Sequence, residues 1–548
     1  MLAPNFIRTL APLVLLLSAC NTAIQTNVKV AQTLLTEDEK NNLRDNDLSK
    51  ALDDAALASD RQQPQKGRYN VAVEKFILAL QKRAPLSNWS EPLRVERPGR
   101  DWIVTFEPPT DKLQSGRELA PALYTRIFPA YHYKVTDCEN LVANSGYGTP
   151  LILAREDIDQ IVKERPFRPR VGIYLPGTAI LDFGRAATPD DPIPVRLRII
   201  NTFDVREAPV AGRTRPLAYN ISAAIQIALD NKYIRKNALE GLLRPDKRDD
   251  DIGLFAITPY NPKKIPVIFT HGLKSDAHIW KPAINEIFFD PALAARFQPV
   301  LFLYPSGLSV PASAARLRES LNTYRKLWDP DQNDPGMNQM IVVGHSIGGI
   351  LSRLQVIDSG EDLRKAFFSQ PIDSIPWLTK ATAASVKEGL IFDHQPFIKR
   401  AIFVAVPHRG SEVADLKIVQ FAIRIIKLPG DAISLATEAL TDDFSALNPA
   451  LLGYNLLGLR SVDMLSPGHP YFKAIDKRPI LVPHHSIIGD RGKNNSPDSS
   501  DGIVPYSSAH LDSAQSELIV PHPHSCTEKS ETVAEILRIL RLHIGIKK

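Results

Sequence analysis

Five residues past the middle of the chain, Gly344-His345-Ser346-Ile347-Gly348, constrain its fold more than any other stretch. The apolar run Met340-Ile341-Val342-Val343 leads into them, and Ile350-Leu351-Ser352-Arg353-Leu354 follows behind Gly349. The run reads as a buried strand, the glycines as a tight turn, and the segment after them as an amphipathic helix. A turn this sharp needs small residues beside the serine, and glycines at 344 and 348 meet that demand. Gly349 lets the helix lie close to the sheet. Ser346 is thereby held up on a strained turn at the carboxyl end of a strand.

At 548 residues the chain is too long for one hydrophobic core, so two or three domains are expected. Its net charge of +5 is spread among interspersed charges, and no basic block carries interleaved aromatics. Nucleic-acid binding is therefore not expected. Cys20, Cys138 and Cys526 are too few for a disulfide scaffold, and no C-x-x-C pair points to a metal. Neither a metal nor a cofactor is expected. A Cys138–Cys526 bridge and two separate thiols both stay open.

The first residues read as an export signal over 1–19. Arg8 supplies the positive charge, and Leu10 to Leu17 form an apolar segment too short to span a bilayer. Leu17-Ser18-Ala19-Cys20 resembles the bacterial lipobox, which implies a lipid on Cys20. Asn21, in place of an aspartate, implies sorting to the outer membrane. The expected location is the bacterial cell envelope, with the chain lipid-anchored and facing the periplasm.

Residues 20–95 read as helical, with amphipathic segments Leu48–Ala58 and Tyr69–Leu80. They are expected to act as a spacer between membrane and enzyme. Residues 96–250 read as strand-rich, at Trp102–Phe106, Leu123–Val135, Val171–Phe183 and Val195–Phe203, with a helix from Ile221 to Leu243. Whether these strands form their own domain or extend the next sheet is open. From 251 to 548 strands alternate with helices, which predicts a mostly parallel sheet covered on both faces. Its strands are expected at Ile265–Thr270, Pro299–Tyr304, Met340–Gly344, Arg400–Val406, Ser486–Gly489 and Ser516–Val520. Insertions fall near 361–399 and 411–485. The second holds Ile418–Ile426, apolar on more than one face, which reads as either a core helix or a lid.

Four motifs now stand in order: Pro266-Val-Ile-Phe-Thr-His271-Gly272-Leu273, the turn at 344–348, Val406-Pro-His408-Arg-Gly410-Ser411, and Asp501-Gly502-Ile503-Val504-Pro505. Together they resemble the lipase/esterase branch of the α/β-hydrolase superfamily over roughly residues 250–545. The resemblance implies an α/β fold of the α/β-hydrolase type, bearing an N-terminal helical and strand-rich extension. It implies a serine hydrolase that cleaves carboxylic esters, lipids among them. Ser346 is the implied nucleophile, His524 the base and Asp501 the orienting acid. The backbone N–H groups of Leu273 and Ile347 are the implied oxyanion donors. His522 and Asp490 are the rival base and acid. The resembling proteins place the histidine three residues after the Val-Pro pair, which selects His524. His271, His345 and His408 read as turn and packing residues. An acyltransferase or thioesterase on the same three residues, and a non-catalytic scaffold lipoprotein, are the alternatives.

Overall fold

A computed structural model of the chain describes residues 46–59, 65–83, 85–106, 124–130, 133–155, 173–230, 252–411, 444–451, 464–492 and 499–546. The signal segment 1–19, Cys20, residues 231–243 of the expected helix and the apolar segment Ile418–Ile426 lie outside the described residues. No helix among the described residues is long and apolar enough to cross a membrane.

Helices α1 (Asn46–Ala58) and α2 (Lys66–Arg83) form an antiparallel pair. Leu48, Leu52 and Ala55 on one, and Val73, Phe76, Ile77 and Leu80 on the other, recur at three- and four-residue spacing and are all buried. The pair is not a free spacer. The Tyr69 hydroxyl donates to the Leu181 carbonyl at 3.0 Å and accepts from the Leu181 N–H at 2.8 Å. The Asn70 side chain donates to Gly146 O at 2.9 Å and accepts from Gly148 N–H at 2.8 Å. Periodicity shows that each helix has an apolar face. It does not show that a sheet more than 70 residues along the chain covers it.

That sheet is made of β1 (Leu93–Val95), β2 (Trp102–Phe106), β3 (Arg126–Pro129), β4 (Thr149–Arg155), β5 (Ile173–Phe183) and β6 (Ile193–Asn201). Its order is β1-β2-β6-β5-β4-β3, so these strands form their own sheet. All neighbours run antiparallel except β2 and β6. Strand β4 is absent from the sequence reading because every residue in it is buried, which removes the alternation that marks a strand. Helix α3 (Ile221–Leu229) is capped by Asn220, whose side-chain oxygen accepts the Ala223 N–H at 3.0 Å.

The second sheet comprises β7 (Gly253–Ala256), β8 (Ile265–Thr270), β9 (Phe297–Leu303), β10 (Met340–His345), β11 (Ile398–Val404), β12 (His484–Gly489) and β13 (Ser516–Val520). Its order is β7-β9-β8-β10-β11-β12-β13. Only β7 is antiparallel to its neighbour. Alternate residues face opposite ways. Val267, Phe269, Ile341 and Val343 join α4 (Lys281–Phe289) and the C-terminal helix Ser530–His543 in one cluster. Ile268 and Val342 join α5 (Val310–Trp328) and α6 (Ile347–Arg353) in another. The first cluster also holds Phe76, Leu181 and Ile225, so the N-terminal sheet and its helices pack on that side of the second sheet.

The insertion at 361–399 supplies α7 (Asp362–Phe367) and α8 (Lys380–Leu390). From the second insertion, α9 (Pro470–Asp476) packs on α7 through buried Tyr471 and Phe472, with the Phe367 and Tyr471 rings 5.4 Å apart. The C-terminal helix is α10.

Candidate active site

Strand β10 is central in its sheet and ends at His345, so the next residue emerges at the carboxyl edge. Ser346 takes that place with φ 53° and ψ −129°, a left-handed backbone that a side chain rarely adopts. Such strain costs about 1–3 kcal/mol and persists only where the surroundings enforce it. Here the Ser346 N–H donates to Val404 O at 2.9 Å, and Ser346 O accepts the Gly349 N–H at 2.9 Å. The glycines are required by close approach. A Cβ on Gly344 would lie 2.5 Å from Gly348 O, one on Gly348 would lie 2.2 Å from His271 O, and one on Gly349 would lie 2.0 Å from the Val406 side chain. The turn and the start of the helix are thus packed on each other and on the backbone at the end of β8, with the Val406 side chain, just past β11, against Gly349.

Two loops from the far strands meet this serine. After β12, Asp501 lies 2 % exposed in a turn whose Gly502 has φ +93°. Asp501 Oδ1 accepts the N–H groups of Ile503 at 2.8 Å and Val504 at 2.7 Å. Its Oδ2 accepts from His524 Nδ1 at 2.7 Å. After β13, His524 turns its other nitrogen, Nε2, to Ser346 Oγ at 2.9 Å. Gly489, at the end of β12, makes room for both loops, since a Cβ there would sit 2.9 Å from Asp501 Cβ and 2.9 Å from His522 O.

The rivals are placed elsewhere. His522 turns its Nδ1 to Pro523 O at 3.0 Å. Asp490 Oδ1 accepts the Gly492 N–H at 2.9 Å. His271 is buried and stacked on Tyr304, whose hydroxyl donates to His271 O at 2.9 Å. Burial holds its imidazole below the usual histidine range. His408 is buried edge-on to Phe403 with Arg353 Nη1 at 3.3 Å. Burial first, then the Arg353 and Arg409 charges, hold it well below that range. These two are turn and packing residues. His345 is more than that: its Nε2 donates to the carbonyl of His524 at 2.9 Å.

Leu273 and Ile347, the expected oxyanion donors, flank the serine. Ile347 opens α6 directly after Ser346. Leu273 follows Gly272, and a Cβ on Gly272 would lie 2.9 Å from Ser346 Cβ, so the turn bearing Leu273 leans on the serine. Lys274, next along, has φ 53° and donates its N–H to Ser306 Oγ at 3.1 Å. Cys138 and Cys526 are separate thiols, and burial pushes the Cys138 thiol up to about 11. No group of three or more potential metal ligands occurs among the described residues.

No family model and no curated protein matches the sequence. Among solved structures the chain is similar to the mature form of the Bacillus licheniformis lipase BlEst2, at 18 % identity and a TM-score of 0.30, over 52 % of this chain and 97 % of that one. It is similar to EstA from Clostridium botulinum at 12 % identity and a TM-score of 0.30, over 52 % and 87 %. It is similar to Thermogutta terrifontis esterase 2 at 14 % identity and a TM-score of 0.28, over 55 % and 92 %.

Proposed function

We propose that this chain is a serine hydrolase of the α/β-hydrolase superfamily that cleaves carboxylic esters through an acyl-enzyme. One observation carries the reading: the unbroken line from Asp501 Oδ2 through His524 to Ser346 Oγ, with contacts of 2.7 Å and 2.9 Å.

With Asp501 accepting from Nδ1–H, the His524 tautomer leaves Nε2 free to take a proton. Ser346 Oγ attacks the ester carbonyl carbon while its proton passes to His524 Nε2. The carbonyl oxygen becomes an oxyanion facing the N–H groups of Leu273 and Ile347. Collapse breaks the bond to the alcohol, which leaves with the proton from Nε2. Water then adds to the acyl-serine by the same proton route, releasing the acid and restoring Ser346. The Asp501 carboxylate holds the His524 ring in place and stabilises the imidazolium.

A fluorophosphonate probe tests the activated serine. The chain should be labelled at Ser346, and Ser346→Ala should lose both labelling and hydrolysis of a p-nitrophenyl ester. An unlabelled wild-type chain would leave a scaffold role. Acyl transfer to an added alcohol or thiol in preference to water would reassign the reaction to the acyltransferase class.

The reading extends to the cell. Residues 1–19 act as a lipoprotein signal, Cys20 carries the lipid, and residues 251–548 work at the outer membrane on the periplasmic side. Leu17-Ser18-Ala19-Cys20 after an apolar run supports it. Cys20→Ser should leave an uncleaved precursor or free the chain from the membrane fraction. Unchanged membrane association, with no lipid label on the wild type, would refute it.

A further inference from the structure

We propose that His345, the residue before the nucleophile, is a positioning residue that holds the His524 backbone so that His524 Nε2 stays within hydrogen-bond reach of Ser346. The inference rests on the hydrolase reading of Ser346, His524 and Asp501.

The segment carrying His524 is Val520-Pro521-His522-Pro523-His524-Ser525. Two prolines deprive it of two backbone donors, so its own peptide groups hold it weakly. Both peptide groups of His524 are instead tied to the site. Its N–H donates to Asp501 O at 3.1 Å, and its carbonyl accepts from His345 Nε2 at 2.9 Å. His345 is itself fixed as the last residue of β10, paired with Val404 of β11, so it belongs to the rigid sheet and not to a loop. A rigid strand end thus reaches across to the loop that carries the base.

The chemistry of the His345 ring suits this task. A backbone carbonyl only accepts, so Nε2 must carry the hydrogen. Nδ1 has no hydrogen-bond partner among the described residues and faces Gly272, where a Cβ would lie 2.9 Å from it. A proton on Nδ1 would be buried with no acceptor. The two imidazoles lie 4.8 Å apart, centroid to centroid, and His524 becomes positive during the reaction. A second positive ring there would oppose it. Burial above all, and then His524, hold His345 down to about 3, so it stays neutral while its neighbour exchanges protons. The two neighbouring histidines thereby have separate roles, one passing the proton of the reaction and one acting as a fixed donor.

Three substitutions test the proposal. Gln at 345 can set its amide nitrogen near the position of Nε2, Asn is too short to reach, and Leu has no donor. His345→Leu and His345→Asn should lower kcat roughly 10- to 100-fold with KM little changed, the scale expected when a reacting group is misplaced by about 1 Å, and His345→Gln should recover most of the loss. Thermal unfolding midpoints identify any variant that fails to fold, and the Gln–Asn pair, alike in polarity, decides the matter if Leu does not fold. The Nδ1–H proton signal of His524, read by NMR on nitrogen-labelled protein, should broaden or shift in Leu and Asn and persist in Gln. Wild-type kcat and an unmoved signal in Leu and Asn would overturn the proposal, as would a Gln variant as impaired as Leu. If the wild-type chain hydrolyses no ester and takes no fluorophosphonate, the hydrolase reading fails. The His524 signal still reports whether His345 holds that residue.

Discussion

Asp501 grips His524 twice, by Oδ2 to Nδ1 at 2.7 Å and by its main-chain oxygen to the His524 N–H at 3.1 Å. The Asp501 residue therefore sets both the tautomer of the His524 ring and the path of the loop that carries it. Replacing the carboxylate alone should separate these roles. Asp501→Asn keeps the main-chain bond, yet its amide can donate where the carboxylate only accepts. It should lower kcat for p-nitrophenyl ester hydrolysis by roughly 10³- to 10⁴-fold with KM nearly constant, the scale of the wrong-tautomer effect in serine hydrolases. Asp490→Asn should cost far less. An equal or reversed ranking would move the acid to Asp490.

The elbow glycines make a second prediction, about packing. A methyl group at position 349 would sit 2.0 Å from Cγ2 of Val406, a short and buried side chain. Gly349→Ala should destabilise the fold by about 1–3 kcal/mol, the usual cost of overpacking, and tilt α6 away from β11. Val406→Ala removes the clashing atom, so the double variant should regain part of the loss in both urea midpoint and ester hydrolysis. Additive losses would show that Val406 is not the obstacle.

The parts of the molecule legible in its sequence are those in which chemistry is crowded into a few neighbouring residues. Gly344, Gly348 and Gly349 announce the elbow because a Cβ on the first would meet Gly348 and Gly349, on the second Thr270 and His271, and on the third Val406. Asp501 and His524 follow from motifs beside strands β12 and β13. Contacts set by distant pairing were not legible. Strand β2 lies beside β6, which follows it by some ninety residues, and β4 is buried along its whole length, so its side chains carry no alternation. His345 read as a packing residue because its partner, the His524 carbonyl, is 179 positions away. The signal was present only as a histidine directly before the serine, which does not say where the ring points.

The seam between the N-terminal module and the second sheet contains a buried lysine, which gives a third prediction. Lys281 of α4 is fully buried, with its Nζ 3.1 Å from Asp137 and 3.9 Å from Asp230, both on the N-terminal side. His278 also lies 2.7 Å from Asp230. Lys281→Met removes the cation and leaves a buried carboxylate with only an imidazole. It should cost about 3 kcal/mol, the low end for breaking a buried pair, since His278 remains. Asp137→Asn should cost below about 1 kcal/mol, because the Asp137 side chain is 44 % exposed and water screens the pair. Urea unfolding measures both. Equal small losses would mean that the lysine does not fasten the two modules.

The opposite edge of the second sheet, near the strand starts, gives the last prediction, a loss of stability in mild acid. Arg400 places Nη1 2.6 Å from His485 Nε2 and donates from Nε to His543 Nδ1 at 3.2 Å. Both rings therefore accept from a cation, and each uses its other nitrogen as a donor, His485 to Ser516 Oγ at 2.7 Å and His543 to Gln339 O at 3.0 Å. A second proton on either ring would displace the arginine bond and set two cations together. Burial first, then Arg400, hold His485 down to about 3 and His543 down to about 4. In the unfolded chain both return to about 6.5. Between these limits the unfolded state binds more protons than the folded one, so stability rises with pH there. The contribution is fully present above about pH 6.5 and is lost as pH falls toward 4 and then 3. The urea midpoint should accordingly fall between pH 7.5 and pH 5.0. His485→Gln, whose amide can accept from Arg400 but does not titrate, should show a smaller fall over the same interval. A wild-type midpoint that stays level, or a Gln variant that falls as steeply as the wild type, would mean that these two histidines are not held neutral by Arg400 and burial.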